Sequence, residues 1–128
     1  MVVDSSAISA VLFEETDAEK FIYALAAPER KFMSAMNRLE TAIVVEARKG
    51  EAGAKALAEC MVLSEIEVIP FDSGQAEIAL AAWRRFGKGR HPAALNLGDC
   101  AAYALASVMN EPLLFKGDDF SKTDVAEA

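Results

Sequence analysis

The chain has 128 residues, and 53% of them are hydrophobic, a composition that excludes a disordered chain and predicts a single folded domain over residues 1–128. Its 13 Lys and Arg residues are outnumbered by 20 Asp and Glu residues, so the formal net charge is −7. This balance argues against binding nucleic acid through bulk positive charge. The acids therefore form a solvated surface, or several of them converge to bind a cation.

The sequence predicts a cytoplasmic protein. Its longest apolar stretches, such as residues 101–109, are too short for a transmembrane helix. Met1 leads to Asp4 without the basic residue that opens a secretory signal. Cys60 and Cys100 both lie in apolar helical sequence, so we expect free thiols rather than a disulfide or a metal pair.

Short apolar segments alternate along the chain with segments of helical period. In chain order we predict a strand at residues 2–4, helices at 5–13 and 17–26, a strand at 31–33, helices at 37–49 and 52–63, a strand at 67–70, helices at 73–86 and 98–109, and a strand at 113–115. Ser5 or Ser6 is expected to cap the first helix, and Gly50 to end the third. A polar tail is expected from Lys116. This order predicts an α/β sandwich around a mostly parallel sheet.

Three carboxylates follow predicted strands, at the edge of a parallel sheet where functional sites form. Asp4 comes directly after two valines, and Asp118 and Asp119 come shortly after the last predicted strand. Each also has an ordinary explanation, because Asp caps helices well and Gly-Asp-Asp is common in turns. None of the three predicts a site by itself.

Two further carboxylates stand out on predicted helices. Glu40 shares a helix face with apolar residues at 36, 43, 44 and 47, so we expect it on the stripe that faces the core. The alternative is a residue at the edge of the stripe that reaches solvent. Asp99 opens a helix that is apolar nearly all round, where the alternative is a first-turn acid that offsets the helix dipole.

Taken together, these acids predict a metal site. If they converge, their mutual repulsion requires a cation, and carboxylates without Cys or His suit a hard ion such as Mg²⁺ or Mn²⁺. Such an ion activates water and stabilises charge on a phosphate. His91 is the only histidine, and no Ser–His–Asp set, Walker loop or zinc ligand set is evident.

One short segment is basic although the whole chain is acidic. It contains Arg84, Arg85, Lys88 and Arg90. These residues are either the solvated end of a helix, where basic side chains suit the dipole, or a strip that contacts the phosphates of RNA. We favour the second interpretation because a carboxylate metal site needs a substrate.

The sequence resembles the PIN-domain ribonucleases, and among them the VapC-type toxins, over nearly its whole length. The resemblance is carried by residues 2–7 (VVDSSA), 34–40 (SAMNRLE), 87–92 (GKGRHP), 95–100 (LNLGDC) and 113–120 (LLFKGDDF). Each short acidic motif is weak alone. Four of them in this order and spacing, over a full-length chain, make the resemblance strong.

The resemblance implies a PIN-like α/β/α sandwich with a central, mostly parallel sheet of four to five short strands. It implies Mg²⁺-dependent cleavage of RNA, with Asp4 and Asp99 as metal ligands. Glu40 completes the acidic cluster, by ligation or by orienting a water molecule. The fourth acid is Asp118 or Asp119, and the sequence leaves that choice open.

The resemblance also extends to partners. Ser6, just past Asp4, matches a polar position that supports the site in the family. Members usually form homodimers and are silenced by a VapB-type antitoxin, whose C-terminal segment covers the site with a basic side chain. The acidic balance of this chain fits such a partner.

Two rival interpretations are weighed against the nuclease. Phosphotransfer proteins also place Asp after the first strand, but the phosphatase type has a second Asp two residues later, where this chain has Ser6. A PIN fold without catalytic activity, used only for binding, is the other rival. The presence of all the main acids argues against it.

Overall fold

The structure is a computed structural model that describes all residues from 1 to 128. The helices are α1 (Ser5–Leu12), α2 (Ala18–Ala26), α3 (Ala35–Leu63), α4 (Ser73–Phe86) and α5 (Leu97–Met109). The strands are β1 (Val2–Val3), β2 (Lys31–Ser34), β3 (Ile66–Ile69) and β4 (Leu113–Leu114). A 3₁₀ turn over Phe120–Lys122 follows β4.

The four strands form one sheet in the order β3–β2–β1–β4, and every neighbouring pair is parallel. Successive strand residues point to opposite faces of a sheet. Val2 accordingly packs into a core shared with α4 and α5, and Val3 into a core shared with α1, α2 and α3. Helices therefore cover both faces, and the predicted α/β/α sandwich is confirmed. The interior position of β1 places its carboxyl end, and Asp4, in the middle of one sheet edge.

Two predicted helices are joined into α3. Gly50 has φ 61° and ψ −149°, a conformation that glycine adopts without strain, and the helix is kinked there. Gly50 therefore ends the first of two helical segments, as predicted, and the second segment follows it directly. None of the helices combines the length and the hydropathy needed to cross a membrane.

The cap of α1 differs from the prediction. Asp4, and not Ser5 or Ser6, is the N-cap, since its side chain accepts a hydrogen bond from the backbone N–H of Ser6. A serine cap is as common as an aspartate cap, so the sequence alone does not choose between adjacent candidates. Asp4 therefore fits both interpretations made from the sequence, since it caps α1 and is also the carboxylate at the end of β1.

The tail after Lys116 is not merely polar. Phe120 is buried, with its ring centroid 5.1 Å from that of Phe115. The last residues then run beside β4, where the N–H of Leu113 donates to Ala126 O at 2.8 Å and the N–H of Ala128 donates to Leu113 O at 2.9 Å. The tail thereby covers the β4 edge of the sheet, which would otherwise present unpaired backbone groups.

Both cysteines are free, as predicted. Cys100 is buried on α5 and Cys60 is half-buried on α3. Burial raises the pKa of the Cys100 thiol to about 11, with a smaller contribution from the charge of Asp99. These thiols are therefore poor nucleophiles at neutral pH.

Candidate metal centre

Asp4 is a buried carboxylate with one satisfied and one unsatisfied oxygen. Its Oδ2 accepts hydrogen bonds from Ser6 Oγ at 2.5 Å and from the N–H of Ser6 at 3.0 Å. Its Oδ1 is buried and has no hydrogen-bond partner. Burial raises the pKa of Asp4, the bonds from Ser6 oppose that shift, and the charge of Glu40 adds to it. A buried anionic oxygen without a partner is unfavourable unless a cation or a proton meets it.

Ser6 connects the ends of two strands. It donates from Oγ to Asp4 and accepts at the same atom from the backbone N–H of Lys116, 2.9 Å away. Asp4 follows β1, and Lys116 follows β4 by two residues. The hydroxyl therefore orients the Asp4 carboxylate against the neighbouring strand, which is the arrangement expected of a residue that supports the site.

Glu40 lies beside the site for a different reason from the one predicted. The stripe of residues 36, 40, 43, 44 and 47 does not face the core, because Ile43 is 60% exposed and Val44 is 40% exposed. The face of α3 that packs inward instead carries Asn37, Thr41 and Val45. Glu40 follows Asn37 by one turn and is half-buried at the edge of this face.

Two neighbours fix the Glu40 carboxylate. Ser5 Oγ donates a hydrogen bond to Glu40 Oε1 at 2.5 Å and also lies 3.2 Å from the carbonyl oxygen of Asn37. On the other side the carboxylate lies against Gly98, where a Cβ would overlap both of its oxygens. Asn37 Nδ2 donates to Gly98 O at 2.9 Å, so α3 and the start of α5 are held together at this point.

Asp99 lies at the start of α5, and the charges of three other acids act on it. Its side chain accepts from the N–H of Asn96 at 3.0 Å, and its own N–H donates to Asn96 Oδ1 at 2.9 Å, which closes a capping box at the start of α5. The pKa of Asp99 is raised to about 6, mainly by burial and in smaller part by the charges of Asp4, Asp119 and Glu40. Four of the predicted acids are therefore close enough to interact electrostatically.

The two closing acids are not equivalent. Both are exposed, but the charge of Asp119 is among those that raise the pKa of Asp99. The carbonyl oxygen of Asp118 accepts a hydrogen bond from Ser121 Oγ at 2.6 Å. Of the two, Asp119 is the one whose charge acts on Asp99.

The donor set fits a hard divalent cation. As the side chains stand, no group of three or more His, Cys, Asp or Glu residues lies close enough to hold a metal ion by itself. Mg²⁺ does not need such a cage, because it keeps several waters and binds through one or two carboxylates. Two observations fit a cation here. Asp4 Oδ1 has no hydrogen-bond partner, and neighbouring negative charges raise the pKa of Asp99.

The basic segment lies at the exposed end of α4. Arg85 is already engaged, since its Nη1 lies 3.0 Å from Asp124 Oδ2. Arg90 donates from Nε to the carbonyl oxygen of Arg84 at 3.1 Å, and its guanidinium lies 4.9 Å from the ring of Trp83. Lys88 makes no side-chain bond in the structure.

A groove lies between α4 and the start of α5, next to Lys88. It has a volume of about 440 Å³ and a mostly apolar lining that includes Trp83, Lys88 and Asn96. Asn96 is the residue that shares the capping box with Asp99. None of the carboxylates of the cluster lines this groove.

Sequence reasoning missed the residues that hold the acids in place: Ser5, Asn37, Asn96, Gly98 and Lys116. One of them carries a recognisable signal. A glycine directly before a candidate ligand indicates a close approach by another group. Asn37 lies next to the apolar stripe on the helical wheel, where its burial could not be read from the sequence.

Comparison with known proteins defines the class. The family model described as PIN domain matches residues 1–126. The chain belongs to the PIN-domain family. Ribonuclease VapC30 of Mycobacterium tuberculosis (strain H37Rv) is 47% identical over 126 residues, which are 98% of this chain and 96% of that protein. Ribonuclease VapC of Mycolicibacterium smegmatis is 48% identical over 126 residues, which are 98% of each chain. The predicted relation to VapC-type PIN-domain toxins is confirmed.

Solved structures show the same fold at low sequence identity. Mycobacterium tuberculosis VapC20, described as a toxin that cleaves the sarcin–ricin loop, superposes with a TM-score of 0.81 at 18% identity and covers 99% of this chain and 97% of its own. A toxin–antitoxin complex from Klebsiella pneumoniae gives a TM-score of 0.72 at 17% identity, with coverages of 99% and 95%.

Proposed function

We propose that this chain is a Mg²⁺-dependent endoribonuclease and the toxin of a type II toxin–antitoxin pair. The observation that carries the proposal is the buried Oδ1 of Asp4, which has no hydrogen-bond partner at the end of β1. In the same sense, burial and the charges of Asp4, Asp119 and Glu40 raise the pKa of Asp99 to about 6. Carboxylates concentrated in this way, at the carboxyl end of a parallel sheet, are suited to a metal-assisted reaction on a phosphate. The relatives named ribonucleases support RNA as the substrate.

The carboxylates divide the work of the site. Asp4 and Asp99 would hold the ion, and Glu40, fixed by Ser5, either ligates it or orients the attacking water. When bound, Mg²⁺ (or Mn²⁺) supplies positive charge beside the scissile phosphate and makes a water molecule more acidic. Asp119 adds negative charge at the open side of the cluster.

The reaction is hydrolysis of an RNA phosphodiester. The water oxygen forms a bond to phosphorus, and the bond from phosphorus to one ribose oxygen breaks. The water gives up a proton to a carboxylate or to solvent, and the departing ribose oxygen takes up a proton from solvent. Asp4 and Glu40 enter the reaction already oriented, since Ser6 and Ser5 hold them through hydrogen bonds of 2.5 Å. Fixed groups need no reorganisation during the reaction, which favours catalysis.

The RNA backbone is proposed to follow the basic segment. Lys88, Arg84 and Arg90 are exposed, while Arg85 shares its charge with Asp124. Lys88 therefore offers the clearest phosphate contact, because its ammonium makes no ion pair in the structure and it borders the groove that leads to Asn96.

The partner is proposed to be a VapB-type antitoxin. Support comes from the VapC-type relatives and from the fold shared with a toxin–antitoxin complex. The net charge of −7 suits an antitoxin segment rich in Lys and Arg that places a basic side chain among the acids. We also propose a homodimer in the cytoplasm, as the resemblance implies.

Incubation of purified protein with structured RNA tests the proposal. Wild type should cleave in Mg²⁺ and not in EDTA, and Asp4→Asn should lower the rate by about 100-fold, the scale seen when one preorganised electrostatic group is removed. The matched control is Glu46→Gln, which removes an exposed carboxylate from α3 without touching the cluster. Its rate should equal that of wild type.

The same preparations separate the nuclease from a binding module without catalytic activity. Calorimetric titration with Mn²⁺ should detect a site in wild type that Asp4→Asn lacks. If the folded protein neither binds the metal nor cleaves RNA, the result would support the binding module. Cleavage that persists in EDTA, or in Asp4→Asn at the wild-type rate, would show that the carboxylates do not carry the reaction.

A further inference from the structure

Lys116 forms a partly exposed ion pair with two acids outside the carboxylate cluster. Its Nζ contacts Glu15 Oε2 and lies 2.9 Å from Asp17 Oδ1, with the three side chains only 33%, 34% and 41% exposed. Glu15 and Asp17 belong to the connection between α1 and α2, and neither is among the acids of the site. The ion pair therefore ties the segment after β4 to the far end of α1.

The main chain of Lys116 is tied to the near end of α1. Its N–H donates to Ser6 Oγ at 2.9 Å, and the same hydroxyl donates to Asp4 Oδ2. Residue 116 is thus fixed twice, by its backbone next to Asp4 and by its side chain at Glu15 and Asp17. With two attachments the orientation of residue 116 is fixed, whereas a single attachment would let it rotate.

The segment that follows carries Asp119. Residues 117–119 are exposed, and Gly117 has φ +97°, so the chain turns sharply directly after Lys116. Phe120 is buried and closes the segment on its other side. Asp119 has no side-chain hydrogen bond to cap the 3₁₀ turn that it precedes. The stretch that carries Asp119 is therefore held between the anchors at Lys116 and Phe120.

Glu15 and Asp17 also determine where the ammonium of Lys116 is held. Without them, a flexible Lys side chain this close in sequence to Asp118 and Asp119 would be attracted to the acidic cluster and would compete with a cation. In the structure both acids hold the ammonium on the α1–α2 connection instead. The ion pair thus keeps a competing charge away from the cluster.

We propose that Lys116, held by Glu15 and Asp17, is a positioning residue that sets the Asp119 segment against the carboxylate cluster and thereby supports binding of the divalent ion. The inference rests on the proposed function, since it takes the cluster as a metal site. It adds an ion pair that touches neither the ion nor the RNA.

Calorimetric titration with Mn²⁺ of Lys116→Met, Lys116→Arg and wild type tests the inference. Lys116→Met should bind Mn²⁺ about 10-fold more weakly, the lower end of the losses found when groups that orient ligands are removed. Lys116→Arg keeps the charge and should recover most of the affinity. With RNA, kcat should fall in Lys116→Met while KM stays near its wild-type value. The matched control, Lys55→Met on the exposed surface of α3, should leave Mn²⁺ affinity and both kinetic constants unchanged.

A reciprocal variant keeps the inference testable if Lys116→Met does not fold. Glu15→Gln combined with Asp17→Asn frees the ammonium and should also weaken Mn²⁺ binding. Unchanged affinity in either folded variant, even with a lower melting temperature, would reduce Lys116 to a structural role and overturn the inference while the proposed function stands. Absence of Mn²⁺ binding by wild type would instead overturn the proposed function.

Discussion

The carboxylate of Glu40 lies against Gly98 so closely that a Cβ at position 98 would overlap both of its oxygens. This contact brings an acid from α3 to the start of α5, directly before Asp99. Ser5 holds the carboxylate from the opposite side. The absence of a side chain at Gly98 is therefore a condition for assembling the acidic cluster.

Gly98→Ala is expected to displace Glu40. In an ordinary helix Ala is more favourable than Gly by about 1 kcal/mol, so any loss at this position reports the contact and not the helix. We expect cleavage and Mn²⁺ affinity both to fall by about 10-fold, the scale for groups that orient metal ligands. Enzyme kinetics and calorimetry measure the two quantities.

Gly74→Ala is the matched control for that variant. Gly74 lies in the first turn of α4, where a Cβ would be 3.5 Å from Asp72 Oδ1, an ordinary contact. Its activity and its metal affinity should stay at wild-type levels. Full activity of Gly98→Ala would show that Glu40 tolerates another position and that the close contact is not required.

Metal affinity is expected to rise as pH increases through about 6. A carboxylate must lose its proton to bind a metal, and the pKa of Asp99 is raised to about 6 by burial and neighbouring charge. Mn²⁺ titrations at pH 5 and pH 7.5 should differ strongly in wild type. An affinity that is the same at both values would contradict the shifted pKa.

Stability without metal should change with pH in the opposite direction. The pKa of Asp99 is about 6 in the folded chain against an ordinary value of 3.8, so the folded state binds more protons than the unfolded state in that window. Its contribution to stability is therefore lost as pH rises from about 4 to about 6, and burial of Asp4 acts in the same sense. Thermal unfolding in EDTA should show a smaller decline in Asp99→Asn than in wild type.

The sequence placed the acids at strand ends more definitely than the acid on α3. Asp4, Asp118 and Asp119 stood out because a parallel sheet collects the residues that follow its strands at one edge, and Asp4 directly follows β1. For Glu40 the sequence left a core-facing position and an edge position open; the stripe at 43 and 44 is exposed, and Glu40 is half-buried at an edge. Periodicity identifies an apolar face but does not say whether the same chain covers it.

The residues that position the acids were beyond the reach of local patterns. Lys116 meets Glu15 and Asp17 across about 100 residues of sequence, a separation for which a single chain offers no signal. Phe120 was placed in a polar tail because one aromatic residue among polar neighbours has no periodicity. The helix and strand order, by contrast, follows from repeated local patterns and was predicted correctly.

Asp119→Asn should affect the site, and Asp118→Asn should not. The charge of Asp119 helps to raise the pKa of Asp99, so its removal should lower that pKa and shift the pH midpoint of Mn²⁺ binding to a lower value. Asp118 serves the turn through its backbone carbonyl, which the substitution keeps. Mn²⁺ titrations across pH compare the two variants. A larger shift in Asp118→Asn would reverse the assignment of the fourth acid.

Asn37→Ala is expected to destabilise the fold by about 1–3 kcal/mol, because a buried carbonyl loses its donor. Asn37 is fully buried, and its Nδ2 donates to Gly98 O at 2.9 Å, the hydrogen bond that joins α3 to the start of α5. Urea unfolding measures the loss, with Glu46→Ala on the exposed face of the same helix as the control, expected to change stability by less than about 0.5 kcal/mol. Equal stability of the two variants would mean that the α3–α5 junction holds without this bond, and that the close approach of Glu40 to Gly98 is maintained by packing and Ser5 alone.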